Sequence, residues 1–205
     1  MNSLNSIQSA YNKIIYNVFV APIVTVANGG FTSPAVSSGQ AQQLGNVTAS
    51  PYSSSTVITG WNTNINFSSG SGIQFGNINN DPSFVTELST IYTNALYVNQ
   101  LNTIGTFTIS QNVNISTPGT YQLSFYTMPW SNNYNTSQQI SCSFAGQILG
   151  AFSLVPNSTW TKFSLSSVIS TSGSYPISLS MSNNSSTSST TVIWLTGVEV
   201  NWISA

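Results

Sequence analysis

The sequence predicts an all-β fold: an antiparallel jelly-roll β-sandwich with an N-terminal arm. Three observations predict it. Eight segments alternate apolar with polar residues, the period of a strand with one buried face. They are Ala95–Leu101, Gly105–Val113, Thr120–Thr127, Gln139–Phe144, Ile148–Leu154, Thr161–Val168, Tyr175–Met181 and Thr191–Trp202. The breaks between them are turn chemistry: Ser116-Thr-Pro-Gly119, Ala145-Gly146-Gln147, Ser172-Gly173-Ser174 and the Asn/Ser/Thr run 183–190. No stretch between them carries a helical period, and many short strands without helices indicate a sandwich or jelly roll.

Taken in order, residues 1–20 form an arm. Leu4, Ile7, Tyr11, Ile14, Ile15 and Val18 recur at spacings of three and four, one apolar stripe of a helix. The β-branched and aromatic residues from Tyr16 to Val26 leave an extended strand as the alternative. Asn12, Lys13 and Asn17 interrupt any apolar core here, so a signal peptide is not expected. From 21 to 205 a single domain is expected. Ala21–Ala27 reads as a short strand and Asn28-Gly29-Gly30 as a turn. The Ser-, Gly-, Gln- and Pro-rich residues 33–60 read as a long surface loop. Ile65–Phe67 and Gly72–Phe75 read as short strands, and 76–94 as irregular with room for a helical turn. In Thr120–Thr127, Tyr121, Leu123 and Phe125 point one way and Gln122, Ser124 and Tyr126 the other.

Composition narrows the function. The chain holds two Lys, no Arg, three acids and no His, and its charged fraction is 2%, against about 25% in ordinary soluble domains. Yet only 40% is apolar, and no apolar run approaches the roughly 18 residues of a membrane helix. The surface is therefore amide and hydroxyl. Lys13 and Lys162 alone cannot neutralise a phosphate backbone or an anionic membrane, so neither nucleic acid nor membrane insertion is expected. Without His there is no Ser-His or Cys-His nucleophile. Of the three acids, Asp81 and Glu87 lie in one irregular segment and read as a turn cap and a solvated residue. Glu199 alternates with Val198 and Val200 and is expected to face solvent or a neighbouring subunit. No enzyme activity and no cofactor are expected. Cys142, the single cysteine, reads as a small buried hydrophobe. Almost nothing titrates between about pH 4 and pH 9, so stability is expected to be flat there.

Motif order adds a resemblance. Asn28-Gly29-Gly30-Phe31-Thr32-Ser33-Pro34 is followed by Gly60-Trp61, Gly72-Ile73-Gln74, Ala95-Leu96-Tyr97-Val98 and Ser110-Gln111-Asn112-Val113. Then come Pro118 to Tyr126 (PGTYQLSFY), Trp160, Ser172-Gly173-Ser174-Tyr175 and a closing run from Val192 to Val200. Over residues 24–200 this resembles the galactose-binding-like, carbohydrate-binding-module-like jelly rolls. Such domains occur in large DNA viruses, phage virions and secreted wall proteins. They commonly hold a structural calcium with an acid after the first Phe and another in the last strand. Here those places read Thr32 and Trp194 to Val198, so no metal is expected. The resemblance implies that Trp61, Trp160 and Trp194 are packing residues.

Sugar recognition needs aromatic faces and hydrogen-bonding side chains together. The run Met128 to Asn135 offers both, so Trp130, Asn132, Asn133 and Tyr134 are the candidate glycan or partner contacts. Trp130 is read in a loop, outside any alternating strand. Seven Asn-x-Ser/Thr sequons (Asn46, Asn66, Asn114, Asn135, Asn157, Asn183 and Asn184) are expected by chance in so Asn- and Ser-rich a chain. The leading expectation is a virion structural protein: a minor capsid, decoration or fibre component that packs against its own copies or other capsid proteins. A start at Met1 without a signal peptide fits assembly inside a host cell. Two alternatives stay open. One is a carbohydrate-binding or adhesion module on a virion or cell surface. The other is a subunit of an extracellular filament or surface layer, assembled by strand exchange through its arm.

Overall fold

The computed structural model describes residues 21–69, 72–79, 92–100, 103–130, 138–154, 159–184 and 191–205. The strands are β1 (Ala41–Val47), β2 (Tyr52–Ile58), β3 (Trp61–Ser69), β4 (Ile73–Asn79), β5 (Asn94–Gln100) and β6 (Ile104–Ile115). After them come β7 (Gly119–Trp130), β8 (Gln138–Phe144), β9 (Gln147–Ser153), β10 (Thr161–Ile169), β11 (Gly173–Asn183) and β12 (Thr191–Ser204). They pair into two antiparallel six-stranded sheets. Sheet A has the order β1-β4-β5-β12-β7-β10, and sheet B the order β2-β3-β6-β11-β8-β9. Successive strands mostly change sheet, the connectivity of a jelly-roll sandwich. Among the described residues there is no helix.

Alternation builds the core. In β7, Tyr121, Leu123 and Phe125 are fully buried and belong to the same core cluster as sheet B's Phe107, Ile109, Leu179 and Met181. Phe75 of sheet A lies 5.0 Å from Phe107 of sheet B, ring to ring. Where the sheets part, Phe152 of β9 closes on Phe163 of β10 at 4.4 Å. Each such ring removed from water contributes about 1.5–3 kcal/mol. Cys142 is buried in this core, as its alternating run predicted. The β8–β9 hairpin turns on Ala145 and Gly146, both at positive φ (53° and 78°), the backbone that a tight two-residue hairpin needs.

The Asn28 turn unites motifs far apart in sequence. Asn28 adopts φ 49°, which its short polar side chain tolerates. Its Nδ2 donates to the carbonyls of Ser33 (2.8 Å) and Thr59 (3.0 Å), and its Oδ1 accepts from the Ser33 N–H (3.0 Å). The Trp61 indole donates to the Asn28 carbonyl at 3.3 Å, and Phe31 stacks on Trp61 with centroids 5.9 Å apart. Gly29 then presses against β12: a Cβ there would sit 2.2 Å from the Val198 carbonyl oxygen.

Two expectations need correction. Ala21–Ala27 is in no strand, although its residues alternate between exposed and half-buried. Gln111 of β6 stands where a partner strand would be: its Oε1 accepts from the Ala27 N–H (2.8 Å) and its Nε2 donates to the Ala27 carbonyl (3.0 Å). Residues 33–60 are not one loop, since β1 and β2 lie within them. Trp194 is buried, as a packing residue should be, and packs on the outer face of sheet A with Trp160 half-buried 6.5 Å away.

Candidate functional site

The outer face of sheet A gathers Lys162, Glu199 and several aromatic side chains. Along β7, the residues opposite to the core set are Gln122, Ser124 and Tyr126. On β10, Lys162 pairs in register with Tyr126 and sets its Nζ 5.4 Å from the centre of the Tyr126 ring. That distance is within the range of a cation–π contact. On β12 a bulge decides the rest. Thr196 pairs with Tyr126 but Glu199 pairs with Ser124, so β12 has one residue too many. Gly197 absorbs it at φ 60°, the glycine form of a β-bulge. Val198 is thereby sent into the core and Glu199 outward. Without the extra residue their faces would be exchanged. The bulge is held from below by the Asn28 turn, for Val198 N–H donates to the Gly29 carbonyl at 3.0 Å.

Tyr92 completes the cluster. Its ring lies 5.8 Å from that of Tyr126 and occupies the space left by the absent Gly197 side chain, where a Cβ would come within 2.6 Å. Its hydroxyl donates to Glu199 Oε1. Asn201 Nδ2 reaches Glu199 Oε2 at 3.4 Å. Burial pushes the Tyr92 phenol well above its ordinary value, and the Glu199 carboxylate adds to this by accepting its proton and by its charge. Tyr92 therefore stays a hydrogen-bond donor throughout the neutral range. Glu199 faces outward, as its alternation with Val198 and Val200 predicted, and is half-buried and partnered there.

The two ends of this face differ. Toward the start of β12, Ala95, Trp194 and Met128 are buried. Toward its end, Gln122, Tyr126 and Glu199 are half-buried and Lys162 and Asn201 exposed. Only that second end presents ring faces, a carboxylate, an ammonium and amides together to solvent among the described residues. Half-buried rings flanked by hydrogen-bonding groups can stack on an apolar ring face and take hydroxyls at its rim.

Of the sequence candidates, Trp130 is the last residue of β7, with its backbone paired to Val192. It is therefore not in a loop. Asn132, Asn133 and Tyr134 lie outside the described residues, as do the arm residues Leu4, Ile7, Tyr11, Ile14, Ile15 and Val18 and the acids Asp81 and Glu87. Sequence reasoning missed Tyr92, Tyr126 and Lys162 as a group. The outward parity of Tyr126 was legible, but its neighbours on β10 and β12 come from pairing. Among the described residues no cluster of His, Cys, Asp and Glu could hold a metal ion, and no helix is long and apolar enough to cross a membrane.

No protein-family model matches the chain, and no curated protein matches it. Among solved structures, the chain is similar to TmCBM61 in complex with β-1,4-galactotriose (TM-score 0.48, 13% identity), over 63% of this chain and 82% of that one. It is similar to the enzymatically active domain of bacteriophage CBA120 tailspike protein 4 (TM-score 0.48, 14% identity), over 70% of this chain and 19% of that one. It is also similar to a carbohydrate-binding module of Cellvibrio mixtus lichenase 5A in complex with cellotriose (TM-score 0.39, 16% identity), over 67% of this chain and 92% of that one. At these identities the likeness is one of fold.

Proposed function

We propose that this chain is a non-enzymatic carbohydrate-binding β-sandwich whose glycan contact is the outer face of sheet A at Tyr126, Tyr92 and Glu199. One observation carries this: two of the chain's five charged side chains, Lys162 and Glu199, flank a pair of tyrosine rings on one sheet face. A pyranose needs that combination, a flat ring for its C–H face and fixed acceptors and donors for its hydroxyls. Glu199 accepts from sugar hydroxyls while Tyr92 and Asn201 hold it in place. Lys162, Asn201 and Gln122 supply the donors at the rim. A single carboxylate without a second acid nearby among the described residues suits binding better than glycoside hydrolysis, which uses two.

The finer proposal places this module on a virion surface or another extracellular lattice, beside copies of itself. Its support is the charge-poor surface, which offers little repulsion between close-packed copies.

A glycan array followed by titration calorimetry on the best ligand tests the binding site. Tyr126→Ala is expected to weaken binding at least about tenfold, near 1.4 kcal/mol, and Glu199→Gln to weaken it less. Undiminished binding by Tyr126→Ala, with the fold intact by circular dichroism, removes this site.

A further inference from the structure

The outer face of sheet B is a grid of short, uncharged hydrogen-bonding side chains. Its register aligns them in rows across four strands. Asn64 of β3 faces Thr108 of β6, which faces Ser180 of β11, which faces Ser141 of β8. The next row runs Asn62, Ser110, Ser178 and Ser143. At the β2 end the rows open into a groove of about 460 Å³ whose walls include Ser53, Ser55, Asn62, Asn64 and Ser110. The aromatic residues of these strands, among them Tyr52, Trp61, Phe67, Phe107, Phe144 and Tyr175, belong to the core side. No strand of sheet B carries a Lys, Arg, Asp or Glu.

From this we infer a second glycan surface: the groove and rows of sheet B take an uncharged polysaccharide chain by hydrogen bonds alone. Charge and chemistry select this occupant. A protein partner is anchored by Trp, Tyr or Arg, and the rows have none. Nucleic acid needs cations and a lipid surface needs apolar area. A neutral polymer of hydroxyls matches a face on which each Ser and Thr both donates and accepts and each Asn does so twice over. Thr108 Oγ1 and Ser180 Oγ are already joined at 2.7 Å, and side chains this short lose little rotamer freedom on binding. Three interstrand steps of about 4.8 Å give a track of roughly 14 Å. The groove itself falls in the size range of small-ligand sites. With sheet A on the opposite side of the sandwich, the chain would carry two glycan faces turned away from each other. Sheet B's claim depends on sheet A's only in the shared ligand class.

Electrophoresis through gels containing galactan, xylan, mannan or β-glucan separates the two faces. The variants are Asn64→Ala with Ser110→Ala, Thr108→Val, Tyr126→Ala and the combination of the first with Tyr126→Ala, each checked for an unchanged melting temperature. Tyr126→Ala should keep part of the wild-type retardation, and adding Asn64→Ala and Ser110→Ala should remove it, a loss of at least tenfold in affinity. Thr108→Val should weaken the same residual binding without altering tryptophan fluorescence, because no aromatic side chain lines the rows. Loss of all binding in Tyr126→Ala alone overturns the second face and leaves the first. Loss in Asn64→Ala with Ser110→Ala, with none in Tyr126→Ala, supports the second face and refutes the first. A wild type that none of the four polymers retards overturns both.

Discussion

Asn28→Ala removes the side chain on which the turn, the Trp61 anchor and the β12 bulge converge. Three hydrogen bonds disappear: two with Ser33, partly buried, and one with the Thr59 carbonyl, exposed. At about 1 kcal/mol for each of the first two and half that for the exposed one, the loss is near 2.5 kcal/mol. Alanine must also hold φ 49°, adding roughly 1 kcal/mol. The expected destabilisation is therefore about 3–4 kcal/mol, read as a fall in guanidinium midpoint at unchanged slope. Trp61, buried beside the turn, supplies the fluorescence signal. Asn28→Gly loses the same bonds but not the backbone preference, so it should recover roughly 1 kcal/mol of the loss. A cost below about 1 kcal/mol for Asn28→Ala, or a glycine variant no better than alanine, would refute this account of the turn.

Burial raises the Cys142 thiol from 9.0 to about 11, so folding keeps it protonated. That stability is complete below pH 9 and is lost as pH rises toward 11, by up to about 3 kcal/mol. Cys142→Ala should flatten this alkaline decline, and the native thiol should resist disulfide reagents at pH 8 until the protein unfolds. Gly197→Ala should expel the Tyr92 ring, since its Cβ would lie 2.6 Å from it at φ 60°. Titration of tyrosinate absorbance would then show one tyrosine returning toward its ordinary value, and glycan affinity at sheet A should fall with it. Gln111→Leu should release Ala27, with hydrogen exchange of that amide accelerated about tenfold while the core amides of β6 are unchanged.

Alternation in the sequence located the strands that bury one face, from β5 to β12. It failed where burial departs from that pattern. β1 and β2 are edge strands that bury Val47 and Ile58 and little else, so a run such as Tyr52-Ser-Ser-Ser-Thr-Val-Ile58 shows no period. Thr127, Met128 and Pro129 are buried on both faces of β7, which hid that strand's end and left Trp130 looking like a loop residue. Ala21–Ala27 shows the converse. Its alternation is real, but alternation reports which side faces the core and not whether a neighbour completes a ladder. The sheet A cluster was least legible. Tyr92 and Glu199 meet across 107 residues: the alternation of Val198, Glu199 and Val200 turned Glu199 outward, but its partners come only from strand pairing and the bulge at Gly197.

The carboxamide of Gln111 gives the Ala27 end of the chain a mechanical character. Ala27 is tied by two hydrogen bonds to an interior strand of sheet B, with Val24 and Val26 resting on the core beside it. Tension applied from residue 21 would therefore load this clasp before it loaded any β ladder. Two bonds opened one after the other yield at lower force than a strand sheared as a block. Under drag the chain would first pay out the segment up to Ala27 as slack, with both sheets of the sandwich still intact.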